Sequence, residues 1–320
     1  MLGFPLLNRW TRWLLVAALM LGVACRSEPE AIEGAPSEPV AAVKALAEAL
    51  QQGDLQRFNA LSVPLALQAE QPMVWRHKLA TANPIEPEQA ERYAVLMQEL
   101  TAPDAEAALW AKAEPRLALM AQEMGPKWTV GVTMMAGFAT AAVAANATLS
   151  EAEKAHAQGL VDAFKSWAGN QETFTNPAHA KAAIAAMVST ARSLQMPTLQ
   201  EASTLDYAPM LEKAGVAFRG GKAVATAYGI DVDAALSQVE GKVIALEGTR
   251  AVVQVSYPLM GQTVRFEQPM VLIDGGWYRE DVVQTLTQDI AAAQAASDAA
   301  AATAAIAPTD APAPAAAPAP

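Results

Sequence analysis

Apolar residues recur at spacings of three and four along much of the chain, which is the period of a helix with one buried face. The first such run ends before Gly53 and carries Val40, Val43, Ala47 and Leu50. Between residues 86 and 196 every strong signal is helical, and Ser150 with Glu153 forms a capping box. The pattern predicts a bundle or array of helices over residues 39–198.

After about residue 200 the period changes from helical to alternating. The alternation predicts strands at 243–247, 251–257, 263–273 and 277–279. Turn-forming sequences separate the last three of these strands: Pro258-Leu259-Met260-Gly261 and Asp274-Gly275-Gly276. We therefore predict an α+β fold, with a mostly helical body and a small C-terminal antiparallel sheet of three to four strands.

One helical segment has no charged residue at all. Residues 128–149 are uncharged over 22 positions, which is long enough to span a bilayer. However, the segment also contains five polar residues, Thr129, Thr133, Thr140, Asn146 and Thr148. A helix that is buried on all sides within a protein shows the same composition. We therefore predict a buried core helix here rather than a membrane span.

The N-terminal region has the pattern of a secretory signal. Arg9 and Arg12 precede an apolar run from Leu14 to Ala24, and the chain's single cysteine, Cys25, follows it. The stretch Leu21-Gly22-Val23-Ala24-Cys25 resembles the lipobox of bacterial lipoproteins, although Gly22 stands where that pattern prefers Leu. The resemblance implies cleavage before Cys25, a diacylglycerol on its thiol and a third acyl chain, such as palmitate, on its amino group.

Two other interpretations of this region stay open. Cleavage by ordinary signal peptidase would leave Cys25 as a free thiol. An uncleaved anchor is also conceivable, but the 11 apolar residues from Leu14 to Ala24 fall short of the roughly 20 that a spanning helix needs. Arg26 stands where enterobacterial lipoproteins retained in the inner membrane carry Asp. The comparison favours an outer-membrane lipoprotein that faces the periplasm.

Composition divides the rest of the chain and limits its partners. The polar stretch 25–38 is predicted to be a flexible tether and 199–284 an α+β region. Residues 285–320 are predicted to form a largely disordered Ala/Pro-rich tail, whose first part can extend a helix. Without the signal peptide, residues 1–24, the chain has 20 basic and 33 acidic residues. An acidic chain without a Lys/Arg block is a poor ligand for phosphates, so nucleic acid is not an expected partner. The expected partners are the membrane, through the lipid, and a protein, peptide or apolar ligand.

The sequence offers no convincing catalytic, metal or cofactor motif. Its three histidines, His77, His156 and His179, lack metal-ligand spacing and are predicted to be surface residues on helices. The segment 215–222 has glycines and a final Lys222, but a phosphate-binding loop needs Ser or Thr after that lysine, where Ala223 stands. We predict a turn between helices there. No cofactor is expected, and no catalytic residue is assigned.

A weaker resemblance concerns the two ends of the folded region. The sequence Asp274-Gly275-Gly276-Trp277-Tyr278 resembles the closing hairpin of NTF2-like, or cystatin-like, α+β domains, and the helix around 40–50 is similar to their entry. The long helical section between these parts departs from that family. The resemblance implies a cavity between sheet and helices, with three side chains as candidate lining residues: Tyr257, Arg265 and Trp277.

Two functions follow from these observations. The first is a non-enzymatic envelope lipoprotein of the binding or scaffolding type. The alternative is an NTF2-like carrier of a small molecule, or an acid/base enzyme that uses the same cavity.

Overall fold

The computed structural model describes residues 35–123 and 125–306. The helices of the first half are α1 (Pro39–Gln52), α2 (Leu55–Ser62), α3 (Leu65–Gln68), α4 (Gln71–Thr81), α5 (Pro87–Thr101), α6 (Ala105–Glu123) and α7 (Trp128–Ala145). Those of the second half are α8 (Glu151–Ala168), α9 (Glu172–Thr175), α10 (Pro177–Leu194), α11 (Leu199–Thr204), α12 (Tyr207–Ala227), α13 (Val232–Ser237) and α14 (Glu280–Ile306). The strands are β1 (Glu240–Glu247), β2 (Arg250–Leu259), β3 (Gln262–Ile273) and β4 (Gly276–Arg279). The predicted α+β fold, with a helical body and one small sheet, is confirmed.

Helix α10 is central to the helical body. It contacts α5, α6 and α12, and its residues Ile184 and Val188 are buried with Ala105 at the start of α6. A different side of α10 presents Thr190 to α12. The helix thus joins the first group of helices to those that lead into the sheet.

Helix α12 also holds the C-terminal end of α1. Gly53 ends α1 in the left-handed conformation, with φ of 67°, as its position after the last apolar residue predicts. Arg219 Nη1 donates to the Gly53 carbonyl oxygen at 2.8 Å, and Lys222 Nζ donates to the Leu50 carbonyl oxygen at 3.3 Å. The buried Lys222 also pairs with Asp233 Oδ1 at 2.5 Å. Two cations of α12 therefore donate to carbonyl groups at the C-terminal end of α1, one of which, that of Leu50, also accepts from the Gly53 N–H.

The structure corrects the turn predicted at residues 215–222. This segment lies within α12, and one of its glycines allows two helices to approach closely. A Cβ atom built on Gly220 would lie 2.1 Å from Thr190 Oγ1, whereas one built on the neighbouring Gly221 meets nothing within 4 Å. Gly220 therefore reflects helix packing rather than a loop.

This difference predicts opposite effects for two adjacent substitutions. Gly220→Ala should lower the free energy of unfolding by roughly 1–3 kcal/mol, because the methyl group forces α10 and α12 apart. Gly221→Ala should raise it by up to about 1 kcal/mol, because alanine is the better helix former and has open space there. Urea denaturation of both variants measures the two effects. Equal effects of the same sign would contradict this packing.

The sheet is a four-stranded antiparallel meander in the order β1-β2-β3-β4. Its register pairs Val255 with Phe266 and Tyr257 with Val264, so these four side chains share one face. Helix α1 covers part of that face through Val43, and helix α8 covers the part nearest the β2–β3 hairpin. The other face is largely open, and its exposed residues include Gln254, Pro258, Thr263, Arg265 and Glu267. The alternating pattern of the sequence thus reflects one covered and one exposed face.

The last helix begins directly after the sheet and returns to the helical body. Leu286, Ile290 and Ala293 of α14 are buried in one cluster with Val63 and Val74. The first part of the predicted 285–320 tail is thus helical as far as residue 306, and this helix contributes to the core, which the prediction of a largely disordered tail did not include. The Pro-Ala end, residues 307–320, lies outside the described residues, as do the predicted signal peptide and Cys25.

Helix α7 also differs from the prediction. Within the described ranges it is the one helix long and apolar enough to cross a membrane, judged by length and composition. It was predicted to be buried on all sides, but only Ala136 and Val143 are buried. The reason is its place in the fold, because α7 packs on α8, which in turn packs on β3. The buried-helix prediction is wrong.

Candidate functional site

The three side chains predicted to line a cavity do not converge on one point. Arg265 is exposed on the open face of the sheet, opposite to Tyr257 and Trp277. Tyr257 pairs with Val264 and Trp277 pairs with Leu272, so the two aromatic residues are separated by roughly 27 Å along β3 at the usual rise per residue. Trp277 is 5% exposed and belongs to the core beneath α1. Only Tyr257 lies beside other groups that carry chemistry.

Tyr257 lies against a histidine of helix α8. The Tyr257 hydroxyl is 2.6 Å from His156 Nε2, and the two rings meet edge to face. His156 also stacks on Phe266, with ring centroids 4.0 Å apart and an angle of 14° between the planes. One helix turn later, a Cβ atom on Gly159 would lie 3.2 Å from the side chain of Val264, so the helix backbone comes close to the strand here. Aromatic packing and one hydrogen bond thus join α8 to β2 and β3.

Charged groups surround this pair. Glu153, at the start of α8, lies 3.9 Å from Arg279 at the end of β4. Arg279 forms a second ion pair with Asp281, and Asp281 Oδ1 accepts from Gln268 Nε2 at 3.3 Å. Burial, with a smaller contribution from Arg279, lowers the pKa of His156 to about 4, although Glu153 acts in the opposite direction. Burial also raises the pKa of Tyr257 well above its usual range.

The His156–Tyr257 pair is therefore uncharged at neutral pH. The tyrosine hydroxyl donates when His156 Nε2 carries no proton and accepts when it does. A neutral imidazole is a competent base, but this nitrogen is already occupied by the hydroxyl of Tyr257. The arrangement can therefore take up a proton in acid.

His156 is predicted from the sequence to lie on the surface, but the structure shows it half-buried. The half-buried His156 lies four residues before Leu160, which is on the face of α8 that the apolar pattern assigns to the core. Extending that pattern back by one turn predicts that His156 faces the core. His179, another histidine predicted to lie on the surface, is also half-buried, and its Nδ1 lies 2.9 Å from the Thr173 carbonyl oxygen.

The low pKa of His156 predicts acid sensitivity. Between pH 6.5 and about pH 4 the unfolded chain binds a proton at this residue and the folded chain does not. The free energy of unfolding should therefore fall as pH decreases through that window, by at most roughly 3 kcal/mol at about 1.4 kcal/mol per pKa unit. Urea denaturation at a series of pH values measures the slope.

Two variants separate this effect from the titration of carboxylates. His156→Gln should have a shallower slope between pH 6.5 and pH 4 than the unsubstituted chain. The control His77→Gln changes a histidine of α4 and should keep the full slope, because His156 remains. Parallel slopes in all three proteins would show that His156 does not contribute.

A second site is a cleft of about 590 Å³ between the end of α5 and the loop that follows α10. Its polar lining residues are Gln98, Thr101, Arg192, Gln195 and Thr198, and its apolar ones are Ala94, Met97, Ala191, Met196 and Pro197. Two hydrogen bonds fix its edges. Tyr93 donates to the Met196 carbonyl oxygen at 2.8 Å, and Arg192 donates to the Ala102 carbonyl oxygen at 2.7 Å. Its size lies within the usual range for small-molecule sites.

Neither site has the composition of a metal centre. Among residues 35–123 and 125–306, no group of three or more His, Cys, Asp or Glu side chains is placed to hold a metal ion.

Three comparisons with known proteins find no relative of this chain. No family model, no curated protein and no solved structure matches it.

Proposed function

We propose that this chain is a lipid-anchored envelope protein of the non-enzymatic binding or scaffolding type, held at the outer membrane and facing the periplasm. One observation carries the proposal: the chain's single cysteine, Cys25, directly follows an apolar run preceded by two arginines. An exported chain with one cysteine has no intramolecular disulfide to explain that residue, whereas acylation does explain it. Cys25 lies outside the described residues, so the support is from sequence.

The cleft beside α5 supports a binding role. Its apolar lining includes Met196, whose flexible side chain adapts to differently shaped partners, whereas the second methionine, Met97, is only 5% exposed. Its rim carries the amides of Gln98 and Gln195, which can pair with the backbone of a peptide, whereas Thr101, Thr198 and Arg192 already make hydrogen bonds within the fold. The expected partner is therefore a protein segment, a peptide or an apolar small molecule rather than a nucleic acid.

Metabolic labelling tests the anchor. In bacteria that express the full chain and are fed an alkyne-tagged palmitate, the protein should take up the label and fractionate with the outer membrane. Cys25→Ser should abolish labelling, whereas the matched control Ser27→Ala should not. An unlabelled wild-type protein in the soluble periplasmic fraction would contradict the proposal.

A second candidate function is the NTF2-like carrier or enzyme, and one observation favours it. His156 and Tyr257 form a half-buried polar pair between a helix and the sheet, and Glu153 and Arg279 form an ion pair nearby. Carboxylates carry out proton transfer in the enzymatic members that the resemblance implies. A crystal structure with an enclosed, ligand-sized cavity between α8 and β3 would support this function. The close packing of α8 on β3, where Gly159 lies against Val264, weighs against such a cavity, and a crystal structure without one would exclude this function.

A further inference from the structure

Helix α7 presents large apolar side chains to solvent. Val130, Met134, Met135 and Phe138 are all more than half exposed, and Phe138 reaches 68%. The stretch 128–149 has no charge, although the whole chain has a net charge of −11. Contiguous exposed apolar surface of this kind marks an interaction site.

The fold holds this helix from one side only. Ala136 and Val143 face α8, and Trp128 Nε1 donates to the Ala168 carbonyl oxygen at 2.7 Å. Gln158 of α8 also donates to Thr140 at 3.1 Å. Because α8 lies between α7 and the sheet, α7 is the outer layer of this part of the molecule. Its remaining surface is free to contact something else.

The width and the neutrality of that surface indicate what covers it. Val130 and Met135 lie roughly 140° apart around the helix axis, at about 100° per residue. A second copy of the helix would cover a narrower seam, and a charged partner would find no group of opposite charge on it. The acyl chains of a lipid bilayer can cover a wide, uncharged apolar face, because they require no polar or charged partner on it.

The predicted lipid anchor is separated from the folded body by only a short stretch of chain. Nine residues separate Cys25 from Ala35, the first described residue. Ten peptide steps reach at most roughly 35 Å, so an acylated Cys25 would keep the folded body near the bilayer. This step rests on the proposed lipid anchor, whereas the exposed face of α7 does not.

We propose that α7 is a membrane-docking helix. It lies along a lipid surface while packed on α8, and it places Val130, Met134, Met135 and Phe138 among the acyl chains. Its polar neighbour α8 supplies the charged groups that remain in water, including Asp162 and Lys165. The lipid anchor would then fix both the distance of the body from the bilayer and its orientation.

A position-specific probe tests the docking. Because Cys25 is the only cysteine, the full chain with Cys25→Ser can carry one new cysteine, labelled with an environment-sensitive dye. When phosphatidylcholine vesicles are added, the emission of the dye at Phe138→Cys should shift to shorter wavelength. Spin-labelled lipids in the same vesicles should quench most of that emission. The control Leu65→Cys replaces an apolar residue of α3 that is 79% exposed. The emission of its dye should neither shift nor be quenched.

Each other outcome overturns the proposal. An unchanged dye at position 138 in the presence of vesicles would show that the face stays in water. Dye–dye quenching at this position without lipid would show that a second copy covers it. Since the probe uses an unacylated chain, its failure is distinct from failure of the anchor, which the palmitate label reports separately. The paired substitution of Met134 and Phe138 by Ser should leave the melting temperature unchanged, because both side chains are exposed.

Discussion

A chain that ends at residue 284 should lose its cooperative unfolding transition, whereas a chain that ends at residue 306 should keep the melting temperature of the full protein. The shorter chain lacks Leu286, Ile290 and Ala293, which are buried against Val63 and Val74. Removing either a buried Leu or a buried Ile typically costs roughly 2–5 kcal/mol. The two losses together are comparable with the total stability of an ordinary domain, which is about 5–15 kcal/mol.

Thermal unfolding followed by circular dichroism measures both truncations. A point variant keeps the prediction testable if the shorter chain does not accumulate. Leu286→Ala should lower the free energy of unfolding by about 2–5 kcal/mol, because the side chain is only 1% exposed. A melting temperature that is the same after truncation at 284 as after truncation at 306 would show that α14 does not contribute to the core.

Trp277→Ala should destabilise the protein by roughly 3–5 kcal/mol, the usual cost of removing a large buried aromatic side chain. Trp277 lies beneath α1, next to Ala42 and Val43, and its backbone N–H donates to the Pro36 carbonyl oxygen at 3.0 Å. Its role in this structure is to join the start of the folded region to the last strand. Urea denaturation of the purified full chain measures the loss.

Arg265 is the matched control, because it was predicted to line the same cavity. Arg265→Ala should change the free energy of unfolding by less than about 0.5 kcal/mol, since the side chain is exposed on the open face of the sheet. Trp277→Phe should recover part of the loss seen with alanine. Equal, large effects of Trp277→Ala and Arg265→Ala would indicate that the two residues act in one site.

The sheet could be predicted from the sequence because one of its faces is covered and the other is open. Alternation along 251–257 and 263–273 follows from that difference, and turn residues mark both hairpins. The capping box at Ser150 was also predictable, because it depends only on residues three positions apart. Local patterns of this kind determine an element without reference to the rest of the fold.

The misplaced features depend on contacts between elements far apart in sequence. The apolar composition of α7 shows that the helix has no charged residue. It does not show whether other parts of the protein cover the helix. Gly220 looks like a turn residue until Thr190, thirty positions earlier, is seen beside it. His156 is half-buried because β2 and β3 bring Tyr257 and Phe266 to it. Such pairings follow from topology, which local periodicity does not encode.

The mass of the mature N-terminal peptide tests most directly how the chain is held at the membrane. The protein is purified from bacterial membranes, digested, and analysed by mass spectrometry. The proposal predicts a first residue at Cys25 that carries a diacylglycerol on the thiol and an acyl chain on the amino group. A mature chain that begins at Cys25 with an unmodified thiol, or one that retains residues 1–24, would contradict it.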